Sequence, residues 1–138
     1  MQAPTATELL NHPAIRLAIE EAWTDSLSGD PARRHEEGGW IYADIVSGDV
    51  AIRRAATGGR AAIDLRHPTV IVGSVVVGKF HTHPNQTGDG WTPGPSDVDL
   101  RVDALHGVPD LIRADNGLYV SGPNQRRGGL GGEPGYPA

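Results

Sequence analysis

Gly73-Ser74-Val75-Val76-Val77-Gly78-Lys79-Phe80-His81-Thr82-His83-Pro84 is the stretch on which the reading of this chain turns. Its first eight residues are rich in β-branched and apolar side chains, the pattern of a buried strand, and that strand runs straight into two histidines. Side chains two apart in an extended chain share a face, so His81 and His83 point the same way at the strand end. A metal held by two imidazoles needs a third ligand. Asp99 supplies a candidate, because Pro95-Ser96-Asp97-Val98-Asp99 reads as a helix start with Ser96 at the N-cap and Asp99 three residues on. Two imidazoles and one carboxylate leave the fourth tetrahedral position to water, the arrangement of a catalytic rather than a structural zinc site. Such an ion lowers the pKa of its water to about 7.

Each half taken alone is ordinary. Many H-x-H pairs are plain strand ends, and S-x-x-D is a common helix cap. The combination is far more specific, and a third element adds to it. His35-Glu36-Glu37-Gly38-Gly39-Trp40-Ile41-Tyr42 places acids before two glycines and a strand-like run. Glu36 or Glu37 is therefore a candidate general base, able to take a proton from a metal-bound water and return it to a leaving amine. The two glycines allow a close approach of backbone.

In this order, E-x-x-G followed by an apolar run, H-T-H-P and S-x-x-D resemble the JAMM zinc metalloproteases, whose catalytic members carry the MPN-plus domain, and the short chain is similar to the prokaryotic branch. The resemblance spans roughly residues 10 to 121. It implies zinc on His81, His83 and Asp99, with Glu36 as acid and base and Ser96 steadying the oxyanion. Glu36 is preferred because the family's glutamate stands three residues before a glycine, here Gly39; Glu37 is the alternative. The implied fold is α/β: a single MPN domain whose curved, mixed and mostly antiparallel sheet is flanked by helices, related in shape to the cytidine deaminases. The implied function is a metallopeptidase or isopeptidase acting on a protein or peptide, with ubiquitin-like modifiers or a fused polypeptide as candidate substrates. A catalytically silent MPN scaffold that binds protein partners is the alternative. One departure stands out: the family has about seven residues between the second histidine and the serine, and here residues 84–95 make twelve. That Gly/Pro-rich loop carries Trp91, a platform for substrate or a pin for the loop.

Length and charge agree with one soluble domain. The 138 residues suffice for one core. A net charge of −5 and a pI near 5.6 argue against nucleic acid or an anionic membrane as partner. No cysteine is present, which excludes disulfides and thiolate ligands. Of the six histidines, His12, His35, His67 and His106 read as surface or cap residues, with His35 placed to support Glu36. No secretory pattern is seen at the N-terminus, so the expected location is the cytoplasm, or outside the cell as part of a larger effector.

Along the chain, residues 1–8 read as a frayed lead-in and residues 9–121 as the catalytic domain. Asn11-His12-Pro13 begins a helix with Ile15, Ile19 and Trp23 on one stripe beside Ala14, Ala18 and Ala22. Residues 39–46 and 50–55 predict a hairpin, residues 61–65 a short strand, residues 96–106 a helix, and residues 108–114 and 117–120 a closing hairpin around Asp115-Asn116. Residues 122–138, with six glycines and three prolines, offer too little apolar surface to pack and predict a flexible tail. Within it, Arg126-Arg127-Gly128-Gly129 looks like the end of a ubiquitin-like modifier; a plain Gly-rich linker is the first reading, and a tail that visits its own active site as substrate or inhibitor is the second.

Overall fold

A computed structural model describes residues 2–138. The elements are α1 (Ala6–Asn11), α2 (Pro13–Asp25), β1 (Gly38–Asp44), β2 (Val50–Arg54), β3 (Ser74–His83), α3 (Asp97–His106), β4 (Asp110–Ala114) and β5 (Gly117–Ser121). The strands form one mixed sheet in the order β2-β1-β3-β4-β5; only the β3–β4 pair is parallel. The expected α/β class and mostly antiparallel sheet are what is found. Among the described residues no helix is long and apolar enough to cross a membrane.

α1 and α2 cover one face. Thr5 opens α1 through a reciprocal capping box with Glu8, and His12 caps α2 by accepting from the Ala14 amide, with Pro13 in the first turn. The reading of residues 1–8 as a frayed lead-in is thus corrected: the Thr5–Glu8 pair starts a helix that buries Ala6 and Leu9. In α2 the buried positions are Ile15, Ile19 and Ala22. Trp23 instead lies at the margin under the Arg113 guanidinium, 4.4 Å from its ring centre. These helices bury Leu9, Ile15 and Ile19 against Ile41, Ala43, Val75, Val77, Phe80 and Leu111. The opposite face carries a smaller cluster of Trp40, Tyr42, Leu65, Val76 and Val108.

A β-bulge decides which face receives the histidines. In the β1–β3 pairing Tyr42 opposes Val76 and Ile41 opposes Gly78, which leaves Val77 as an extra residue. Val77 belongs to the helix-side cluster, and a Cβ on Gly78 would also meet the helix-side Leu9 and Ile41. Two successive residues therefore face the helices. Beyond them Phe80 is helix-side, while Lys79, His81 and His83 emerge on the opposite face. Gly38 and Gly39 let β1 fit between its neighbours, because a Cβ would strike the Phe80 carbonyl at the first and the Arg53 carbonyl at the second.

Two further expectations are corrected. Residues 61–65 form no strand. Their neighbourhood spends its backbone bonds elsewhere: Glu36 N on Gly59 O, Gly58 N on Glu36 O and Gly59 N on Ala62 O, while Leu65 O accepts from the Trp40 indole. Residues 122–138 contain no helix or strand, yet they pack. Leu130 enters the helix-side core, and the buried Arg126 guanidinium donates to the carbonyls of Val76, Glu133 and Gly135. Tyr136 stacks on His106 with ring centres 3.9 Å apart. One cation and one aromatic ring supply the anchorage that the apolar count lacks.

Candidate metal centre

His81 and His83 stand at the end of β3 with their Nε2 atoms 3.0 Å apart. Asp99, in the first turn of α3, brings Oδ1 to 3.6 Å from His81 Nε2 and Oδ2 to 3.3 Å from His83 Nε2. Ligands held tetrahedrally at zinc distances of about 2.0–2.1 Å lie about 3.3–3.4 Å from one another, so these separations fit one small cation. The other ring nitrogens are engaged. His81 Nδ1 lies 3.1 Å from Asp110 Oδ1, and His83 Nδ1 3.2 Å from the Pro93 carbonyl oxygen. With a cation bound, each acceptor would hold the proton on Nδ1 and leave Nε2 as a lone-pair donor, the outer support that metal-binding histidines characteristically have.

Glu36 is buried beside this pair, its carboxylate within 4.8 Å of nitrogen atoms of both His81 and His83. Burial pushes its pKa up to about 7, although the neighbouring imidazoles pull the other way. A carboxylate poised there is suited to exchanging protons near neutral pH. Glu37 is otherwise occupied. It binds His35 Nε2 at 2.7 Å, Arg54 Nη2 at 2.7 Å and Thr57 Oγ1 at 2.8 Å. His35 therefore serves Glu37, and of the two glutamates Glu36 is the one at the centre. Thr82, between the histidines, faces away and fixes this arrangement: its amide donates to Glu37 O, its hydroxyl accepts from Glu37 N, and it lies 2.6 Å from Ser26 Oγ.

Ser96 is the N-cap of α3. Its Oγ accepts from the Asp99 amide at 3.0 Å, and Asp99 Oδ2 accepts from the Ser96 amide at 2.9 Å. The cap uses the oxygen and leaves the hydroxyl proton free for another acceptor. It also orients the carboxylate. Burial would raise the Asp99 pKa, but hydrogen bonds from His81 and His83 hold it well below the ordinary carboxylate value. For His81, burial opposes protonation, and the charge and hydrogen bond of Asp110 outweigh it, so the metal-free imidazole titrates well above its ordinary value. A cation would replace that proton.

Below the centre lies a buried charged group with no counterpart in the sequence reading. Lys79 Nζ is 2.7 Å from Asp103 Oδ1 and 2.7 Å from His106 Nδ1. Burial and the Lys79 charge push the His106 pKa down to about 4, and burial with the Asp110 charge raises Asp103 against the opposing pull of Lys79. His106, expected at the surface, is half-buried here. Asp110 reaches His81 because β4 runs parallel to β3 with Lys79 opposite Asp110. A long-range parallel pairing leaves no local spacing to read, which is why Asp110 could not be found from the motif.

The long loop is tied down at several points: Thr87 N and Oγ1 donate to Asp115 Oδ2, Gln86 Nε2 donates to Ser28 O, and Arg34 Nη1 donates to Asp89 Oδ2. Trp91 remains half out of the surface, 45 % exposed, on the wall of a cavity of about 710 Å³ that includes Glu36, His81, His83, Ser96 and Asp99. No protein-family model, curated protein or solved structure matches this chain.

Proposed function

We propose that this protein is a zinc-dependent peptidase or isopeptidase of the JAMM type, a single MPN-plus domain with the cytidine-deaminase-like shape that the motif order implies. The observation that carries the reading is the meeting of two histidine Nε2 atoms and the Asp99 carboxylate beside a buried glutamate. His81, His83 and Asp99 would hold the ion. When bound, it supplies the positive charge that acidifies a coordinated water and polarises a carbonyl. Glu36 takes a proton from the attacking water and delivers it to the departing amine as the C–N bond breaks. Ser96 offers its free hydroxyl proton to the developing oxyanion. Asp110 and the Pro93 carbonyl keep both imidazoles in the tautomer that presents Nε2.

The substrate is a protein or peptide, with ubiquitin-like fusions and fused polypeptides the first to try, and the setting is the cytoplasm or a larger exported effector. The test is elemental analysis of purified protein combined with a cleavage panel of ubiquitin-like fusions and Gly-rich peptides. The expected result is about one equivalent of zinc and cleavage that Glu36→Gln abolishes. Less than a tenth of an equivalent after metal-replete purification would favour the silent scaffold, and unchanged cleavage by Glu36→Gln would remove Glu36 as the base.

A further inference from the structure

The cavity beside the candidate centre is far larger than a passage for glycines. Its roughly 710 Å³ lies within the range of about 300–1,000 Å³ typical of sites that enclose a sizeable ligand. Two apolar surfaces line it. On one side α3 turns Val98 and Val102, one helical turn apart, toward the cavity on the same side as Asp99; Val98 is 57 % exposed. On the other side Ile63 and Leu65 line it from a segment that has left the sheet. Trp91 adds an aromatic wall. Apolar faces of this kind normally close on each other. Here both line one cavity, with Leu65 and Ile63 backed by the Trp40, Tyr42, Val76 and Val108 cluster. α3 is tied to the sheet by the Lys79–Asp103 ion pair at 2.7 Å, and Leu65 is held by the Trp40 and Tyr136 hydrogen bonds to its carbonyl.

We propose that Val98, Val102, Ile63, Leu65 and Trp91 form a specificity pocket for a bulky apolar side chain, aliphatic or aromatic, on the substrate residue next to the scissile bond. The proposal deepens the hydrolase reading and rests on it for the placement of that residue. It also sets this site apart from one that accepts only a glycine-glycine end. Burying a leucine or phenylalanine side chain between such walls tightens binding about ten-fold or more over glycine.

The test uses the full-length, zinc-loaded protein and short blocked peptides that differ at one position, Gly, Leu, Phe or Lys. Calorimetry reads binding, and mass spectrometry of the same mixtures reads cleavage. Leu and Phe peptides are expected to bind at least about ten-fold tighter than Gly and Lys peptides. In Val98→Asn, and separately in Trp91→Ala, that preference should shrink to within about three-fold. Equal binding, tighter binding of Gly or Lys, or no binding of any peptide overturns the pocket. Preferential binding without cleavage upholds the pocket and sinks the hydrolase reading; cleavage without preference does the reverse.

Discussion

The two faces of the sheet are built on different principles. Toward α1 and α2 the interior is aliphatic and aromatic, with Phe80, Ile41, Leu9 and Ile19 fully buried against one another. Toward α3 the apolar cluster ends at Trp40, Tyr42, Val76 and Val108, and the same sheet continues as Lys79, His81 and Asp110, all buried and charged or polar. Burying unpaired polar groups is costly, so the second face is tolerable only because each group is partnered or receives a cation. One face holds the fold together. The other gathers the candidate metal ligands.

The sharpest division comes from Glu36→Gln. It should lower turnover by about 10²–10⁴-fold, equivalent to about 3–5 kcal/mol, while zinc content stays at the wild-type level. Phe80→Ala, one residue from His81 but on the helix side, should do the opposite: urea denaturation is expected to show a loss of about 3–5 kcal/mol, with turnover per folded molecule retained. A loss below about 1 kcal/mol for Phe80→Ala would break the contrast.

Next in size is a pH effect on the metal-free protein. Burial raises Glu36 from its ordinary 4.5 to about 7, so the folded state keeps a proton that the unfolded chain has already released. This contribution to stability is complete below about pH 4.5 and is lost as pH rises through about 7, a change on the order of 3 kcal/mol. Glu36→Gln should remove that slope in chelator-treated protein, and an identical slope in the variant would assign it to other groups.

Asp110→Asn should weaken zinc binding by about 10–100-fold in a chelator competition, because the amide removes the charge that supports His81 while keeping its size. The smallest expected effect is Ser96→Ala, about 1 kcal/mol of stability through loss of the α3 cap, accompanied by weaker cleavage. If stability drops and cleavage does not, Ser96 is only a cap.

How far all this could be read beforehand depended on whether the cause was local. The α2 stripe, the β1–β2 hairpin and the α3 start follow from periodicity, turn residues and a capping pattern within a few positions, and they lie close to where the sequence places them. The candidate ligands His81, His83 and Asp99 converge for the same kind of reason, since a strand end and a helix cap each orient their own side chains. What escaped was long-range. Asp110 reaches His81 through a parallel pairing, Pro93 reaches His83 from within the long loop, and Glu37 is distinguished from Glu36 by partners at His35, Arg54 and Thr57. The tail was misread because composition counts apolar residues but says nothing of one arginine placed to bind three carbonyls.

The extra residue at Val77 acts on side-chain direction as a frameshift acts on codons. In strict alternation, with no bulge, the same residues would exchange inside for outside at every position downstream in β3: Phe80 would meet the charged face, and His81 and His83 would be driven into the aliphatic layer beneath α1 and α2. Deleting Val77 itself keeps Tyr42 opposite Val76 and Ile41 opposite Gly78, so it is expected to spare the direction of the ligand pair. One residue inserted between Gly78 and His81, by contrast, turns both histidines toward the core and is expected to be worse than any single substitution in the strand.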